Sequence, residues 1–354
     1  MDGRAMEAEM LKNIEYEKLK GNYILIDVRS PGEFAEATIP GAVCMPIFDD
    51  QERSLIGTVY MNDSIEKAKK IGMGVAAARL PVLYEEIVEL NDKYDKLVFF
   101  CARGGMRSSA LASLMAELGI RAYKLKGGYK GYRTFINRAL PEISRSKHFI
   151  VIHGKTGVGK TELLKCLRQK GYGTLDLEAA ANHRGSLLGS VGLGRQNSQK
   201  QFESLVYDSL NRCLDRFVFV EGESKRIGSI IIPGYIFDGM EKGTHILAEA
   251  DSEYRMKRLV GEYGLEGCRP ELLAALESLS KYIGAGNAKR CREMIERGEC
   301  AAVAEELMLK YYDPMYENEF GRYDYALKAS VNDTDEGCGL IESWFRTHFK
   351  GGVE

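Results

Sequence analysis

Four short, unbroken apolar runs stand out along the chain: Tyr23-Ile-Leu-Ile-Asp27, Leu97-Val-Phe-Phe100, Phe149-Ile-Val-Ile-His153 and Phe217-Val-Phe-Val-Glu221. Continuous rather than alternating hydrophobicity over so few residues predicts strands buried on both faces, and the first two read as parallel. After the second run and a glycine loop, Ala110, Leu111, Leu114, Met115 and Leu118 recur at helical spacing over 108–118, and Gly119 is the stop signal. The third run repeats the arrangement, with a second glycine loop, a helix over 162–170 and Gly171 as its end. Strand, loop and helix thus occur twice. Between the units, Ala139 to Lys147 is polar and carries Pro141, which predicts a linker and places domains at 1–140 and 147–354. The expected fold class is α/β: an N-terminal parallel-sheet domain, then a second α/β domain with a helical C-terminal part.

The 354 residues, 45% hydrophobic and 28% charged, suffice for one core per unit, and the formal charge of −2 excludes a generally basic nucleic-acid coat. Any RNA site must be a local patch. The eight cysteines lack CxxC pairing and predict reduced thiols. A polar start and no apolar run of membrane-spanning length lead to the expectation of a soluble, cytoplasmic protein without membrane contact.

The first glycine loop is Cys-Ala-Arg-Gly-Gly-Met-Arg at 101–107. A cysteine that closes a strand before a helix N-terminus has its thiolate stabilised by the loop amides, which makes it a nucleophile at neutral pH. Gly104 and Gly105 let the backbone curl around the sulfur, and Arg103 and Arg107 balance a bound anion. The alternative is a buried cysteine capping a strand. Upstream, Asp27-Val-Arg29-Ser-Pro-Gly-Glu33-Phe34 and Ile39-Pro-Gly-Ala42 complete a pattern that resembles the rhodanese superfamily. Thr38 stands where many relatives carry histidine, and the C-x5-R spacing is that of rhodanese-like phosphatases rather than the shorter sulfurtransferase loop. The loop is therefore expected to take a tetrahedral anion.

The second loop fits G-x-x-x-x-G-K-[ST] through Gly154, Gly159, Lys160 and Thr161, with Gly157 inside it. Its amides would wrap a diphosphate, Lys160 would offset the charge, and the Thr161 hydroxyl would be placed for Mg²⁺. The neighbouring strand ends in Glu221 where an aspartate is usual, so Glu221 or Glu223 holds metal-bound water, acts as a base, or is an ordinary solvated strand end. No tightly bound metal cluster is expected. Downstream, His183-Arg184-Gly185-Ser186 and Glu221-Gly-Glu223-Ser224-Lys225-Arg226-Ile-Gly228 concentrate polar groups in single turns, as substrate loops or surface linkers do.

In this order, with Glu52-Arg53, Gly57-Thr58-Val-Tyr60, Gly127-Gly-Tyr-Lys-Gly-Tyr-Arg133 and Tyr311-Tyr-Asp-Pro-Met-Tyr316, the blocks resemble the tRNA 2-selenouridine synthases, in which a rhodanese domain is fused to a P-loop domain. The resemblance covers nearly the whole chain. It implies a transferase that replaces sulfur by selenium at C2 of the wobble 2-thiouridine through an S-geranyl intermediate, with geranyl diphosphate and selenophosphate as co-substrates. It also implies tRNA as partner, and a selenophosphate-supplying enzyme as a further one. Cys101 is then the thiol of the selenium step, Arg103 and Arg107 hold the donor, and the P-loop holds geranyl diphosphate. Candidate tRNA contacts are His183, Arg184, Ser186, Ser224, Lys225, Arg226, Lys130 and Arg133, with Lys124, Lys126, Arg255, Lys257, Arg258, Lys289, Arg290 and Arg292 widening the basic surface. Tyr129, Tyr132 and Tyr282 are the candidate stacking rings. The competing reading is a P-loop kinase or ATPase carrying a rhodanese-like sulfurtransferase or phosphatase domain.

Overall fold

The structure, a computed structural model, describes residues 12–185, 189, 191–263 and 269–350. Contacts divide the chain into two units, 1–139 and 140–354.

The first unit is built on strands β1 (Lys12–Ile14), β2 (Tyr23–Asp27), β3 (Val43–Cys44), β4 (Lys96–Phe100) and β5 (Ala122–Leu125), in spatial order β1-β5-β4-β2-β3 and parallel throughout. Central β2 and β4 are the two apolar runs, and Ile26, Leu97, Val98, Phe99 and Phe100 are wholly buried. Cys101 directly follows β4, and the helix Met106–Glu117 begins five residues later, burying Leu111, Ala112 and Met115. Asp27 and Arg29 form a buried bidentate pair with contacts of 2.9 and 2.6 Å, and Thr38 Oγ1 donates to Asp27 Oδ2 at 2.8 Å. Thr38 thus contributes to the buried network.

The second unit orders β6 (His148–His153), β7 (Thr174–Leu175), β8 (Phe217–Glu221), β11 (Thr244–Glu249) and β12 (Tyr325–Ser330) as β12-β11-β6-β8-β7, again parallel. The two-residue strands β9 (Arg226–Ile227) and β10 (Ile230–Ile231) form a separate antiparallel hairpin. Helices Arg269–Ile283, Ala285–Glu296 and Cys300–Leu307 pack around Leu276, Leu279, Cys291 and Val303 as the helical C-terminal part. Among the described residues no helix is long and apolar enough to cross a membrane.

Two expectations are corrected. The anticipated linker lies mostly within one helix, Gly128–Ser146, which runs through Pro141. Proline removes only one donor from the ladder, whereas Tyr129, Tyr132, Ile136 and Leu140 make an apolar stripe at helical spacing whose burial keeps the helix continuous. Nor are all the cysteines reduced: Cys166 and Cys338 form a disulfide between helices Lys160–Gln169 and Thr334–Phe345. At a sequence separation of 172 no local spacing announces the pair, which arises because both helices bury their apolar faces in the same core.

Arg255 is corrected as well. Assigned to a tRNA surface, it is 3% exposed and clamps Asp313 bidentately at 2.8 and 2.7 Å. Arg255→Ala would leave Asp313 with only the more distant Lys155 at 3.6 Å, so denaturant unfolding should show a loss of about 3 kcal/mol. A surface arginine would cost about 0.5 kcal/mol or less.

Candidate functional site

The thiol loop is held from both sides. Gly104 adopts φ +64 and its Cα faces the backbone of Gly127 and Gly128, so a side chain there meets main chain as well as strain, whereas Gly105 has a negative φ open to any residue. The curl thus rests on Gly104 alone. Cys101 is 4% exposed. Burial pushes its thiol upward, but a hydrogen bond from Ser108 Oγ at 3.3 Å, loop amides and the charge of Arg107 outweigh that and leave it below the ordinary cysteine range. The loop thus favours the thiolate of Cys101 over what burial alone would leave.

Arg107 is oriented by the upstream signature. Its guanidinium grips Glu33 at 2.8 and 3.4 Å, and Arg53 approaches the same carboxylate at 3.5 Å. Glu33 caps its own helix in a reciprocal box with Ser30, and Glu52 does the same with Asp49. Arg103 is exposed at the loop rim.

In the second unit β6 runs into Gly154, and Gly159 takes φ +95 as the N-cap of helix Lys160–Gln169, the left-handed turn that a P-loop requires. Lys160 Nζ donates to Gly154 O at 3.0 Å. Burial favours its neutral form, but Tyr316, Glu223, Glu178 and Glu221 outweigh that, so the ammonium is retained. The loop lines a cavity of about 410 Å³ whose remaining walls include Glu178, Ala179, His183, Leu193, Leu259 and Tyr316.

Carboxylates crowd beside it. Glu221 Oε1 accepts from the amide of Glu178 at 2.8 Å, while Oε2 is buried without a hydrogen-bond partner. Glu178 lies 3.4 Å from Thr161 Oγ1, and burial together with the charge of Glu223 pushes its carboxyl up to about 8. Burial, Asp176 and Glu178 likewise raise Glu221 well above the carboxylate range. Glu178 is a site residue that sequence reasoning missed; its only signal was a second carboxylate just after Asp176 at the end of β7. Among the described residues no three His, Cys, Asp or Glu side chains form a metal cage. The Thr161 hydroxyl beside a phosphate cradle nonetheless fits Mg²⁺, which commonly takes few protein ligands together with phosphate oxygens.

The block at 311–316 acquires a place in the site, and the block that begins at His183 divides. Asp313 joins Arg255 and Lys155, and the Tyr316 hydroxyl accepts from Thr156 at 3.3 Å, so Tyr-Tyr-Asp-Pro-Met-Tyr is fastened onto the P-loop. His183 lies at the cavity wall, but Arg184 turns back to donate to Val191 O at 2.6 Å. Ser186 lies outside the described residues.

The proposed RNA surface is only partly basic and open. Lys130, Lys225, Arg226, Lys257 and Lys289 are exposed, and Ser224 binds Arg226 O at 2.7 Å. Arg133 is half-buried and donates to Asn137 at 3.3 Å, and Lys124 and Lys126 are held by Ser109 and Glu15. Arg258, Arg290 and Arg292 are paired with Glu162, Glu306 and Glu277. Tyr129 and Tyr132 cannot stack on bases: they are 8% and 1% exposed, one under the Arg29 guanidinium at 4.3 Å and the other edge-on to Tyr16. Tyr282 alone of the three is open, at 69%.

Comparison with known proteins matches residues 8–134 to the rhodanese-like domain and residues 147–347 to the tRNA 2-selenouridine synthase AAA domain. The chain is 33% identical over 341 residues to the tRNA 2-selenouridine synthase of Pseudomonas fluorescens (strain Pf0-1), covering 85% of this chain and 90% of that one. It is 30% identical over 355 residues to the synthase of Bdellovibrio bacteriovorus, covering 86% and 92%. With one family spanning more than half of the chain and whole-length relatives bearing the same name, this chain belongs to the tRNA 2-selenouridine synthase family.

Proposed function

We propose that the protein, working in the cytoplasm, replaces sulfur by selenium at C2 of the wobble 2-thiouridine of tRNA in two steps. The rhodanese-like domain, taken as 1–140, serves the selenium step, and the P-loop domain, taken as 147–354, serves the alkylation that precedes it. A thiocarbonyl sulfur is a poor leaving group, but S-geranyl leaves as a neutral thiol once protonated, so alkylation prepares C2 for selenium.

One observation carries the alkylation half. Beside the phosphate cradle, the otherwise polar and charged wall of the P-loop cavity includes Ala179, Leu193, Leu259 and the Tyr316 ring, and these apolar side chains offer contacts for the terpene tail of an allylic diphosphate. Loop amides and Lys160 take the charge that develops on the leaving diphosphate as the thiouridine sulfur attacks C1 of the geranyl group. Mg²⁺, held by Thr161 and the diphosphate, would supply further neutralisation of that charge.

In the second step selenophosphate occupies the Cys101 loop, its phosphate held by amides with Arg103 and Arg107. Cys101 then acts as selenium carrier or as nucleophile. The selenium of selenophosphate adds at C2, geranyl thiol departs with a proton, and water then breaks the phosphorus–selenium bond, releasing phosphate and leaving selenium on C2. Lys130, Arg133, Lys225 and Arg226 are the basic residues retained for contact with tRNA phosphates.

The test is mass spectrometry of wobble nucleosides after incubating 2-thiouridine tRNA with geranyl diphosphate and then selenophosphate. S-geranyl-2-thiouridine should appear first and 2-selenouridine second; an unchanged 2-thiouridine peak, or ATP turnover stimulated by tRNA in place of alkylation, would sink this reading.

A further inference from the structure

S-alkylation of a 2-thiouridine creates a proton to be removed. As the sulfur–carbon bond forms, the C2–N3 bond becomes a double bond, and the N3 hydrogen must leave for a neutral product to result. The Lys160 ammonium cannot take it, and among the described residues His183 is the one imidazole that lines the P-loop cavity.

His183 is built into that cavity with unusual definition. It follows Asn182, which sits at φ 50 and is the one non-glycine residue in the left-handed region among the described residues. That conformation is fixed by Asn182 Nδ2, which donates to Leu193 O at 2.8 Å and Arg195 O at 2.9 Å. The amide of His183 bonds Glu178 O at 3.0 Å, and the ring lies with Cδ2 against Gly228, 2.8 Å from where a Cβ on that residue would stand. The side chain is 8% exposed and lines the cavity alongside Lys160 and Thr161.

With its backbone tied on both sides, the ring itself is unsatisfied. Nδ1 is enclosed and has no hydrogen-bond partner, whereas Nε2 is not among the enclosed, unpaired atoms. Buried polar atoms in native structures are almost always paired, and one that is not asks for a ligand or a chemical role. Burial also favours the neutral ring.

Resting on the alkylation reading above, we infer that His183 is the general base of the geranyl transfer, receiving the N3 proton of the thiouridine on Nε2 as sulfur attacks C1 of the allylic diphosphate. The sulfur–C1 bond forms, the C1–oxygen bond breaks, diphosphate leaves with the bonding pair, and the N3–H pair becomes the C2–N3 double bond. No oxidant or further reactant is needed. A weak base suffices because N3 becomes strongly acidic once the sulfur is alkylated, so the enclosed and unpaired Nδ1 does not disqualify the ring.

The test compares wild type, His183→Ala and His183→Gln in single-turnover geranylation of 2-thiouridine tRNA, with geranyl diphosphate binding measured separately by calorimetry. Both variants should bind geranyl diphosphate within about threefold of wild type yet alkylate roughly 10²- to 10⁴-fold more slowly, and added imidazole should restore part of the rate to His183→Ala alone. A wild-type rate in either variant, or a slowing that merely follows lost diphosphate binding and ignores imidazole, overturns the assignment. Failure of wild type to form S-geranyl-2-thiouridine overturns the alkylation reading and the base together, which separates the two failures.

Discussion

Cys101→Ser is expected to abolish 2-selenouridine formation, by on the order of 10³-fold or more, while S-geranylation of the same tRNA continues at the wild-type rate. Serine keeps the shape of the loop and can still accept from Ser108, but its hydroxyl does not ionise near neutrality. What the sulfur has and the oxygen lacks is a charge stabilised by Ser108, the loop amides and Arg107. The measurement is nucleoside mass spectrometry with both donors present. Accumulated S-geranyl-2-thiouridine without 2-selenouridine is the expected pattern, and undiminished selenation by the variant would remove Cys101 from the mechanism. Arg107→Ala should weaken the step less, because the loop amides remain, and should also release Glu33 from its bidentate partner.

Lys160→Ala is expected to lower geranylation by roughly 10²- to 10³-fold, the usual consequence of removing one preorganised charge from a transition-state cradle. Its effect extends to the empty protein. Glu178, Glu221 and Glu223 all face the Lys160 charge, and Glu178 already titrates at about 8 against an ordinary 4.5. A carboxyl raised in the folded state favours folding fully below its unfolded value and loses that contribution as pH rises toward the folded value. The free protein should therefore become less stable between about 4.5 and about 8, and the variant more steeply so. Thermal midpoints across that range provide the check; a variant whose pH dependence is flatter than that of wild type would show that the lysine does not govern these acids.

Legibility from the sequence followed the range of the interactions. The strands at 23–27, 97–100, 149–153 and 217–221 and the helices after both glycine loops were readable because an apolar run bounded by a glycine turn is a local signal. The helices Asp50–Asn62 and Ile65–Lys93 were not, since the first buries no residue fully and the second exposes Met73 and Val82 on opposite faces, which blurs its apolar stripe. Cys101, Lys160 and Thr161 are singled out by the local pattern of their loops. Glu178 escaped because it reaches the P-loop from another strand end, and Arg255 was misplaced because Asp313, which buries it, lies 58 residues away. Tyr129 and Tyr132 look like exposed rings beside lysines until the helix that holds them is seen to bury that stripe.

The strand order of the second unit has a consequence for synthesis. β6 carries the P-loop and lies between β8 and β11, while β12, which completes the other side of β11, begins at residue 325. The strand made first thus waits for its neighbours β8 and β11, which begin at residues 217 and 244, and the sheet is complete only when β12 follows about 180 residues after the start of β6, at roughly 5–20 residues per second of translation. On the ribosome the thiol loop, whose strands are all finished by residue 125, can close long before the phosphate loop has a sheet to stand on. A chain halted midway would present a finished first sheet and a phosphate loop still without its frame, so completion of the second sheet late in translation sets when the two loops first coexist.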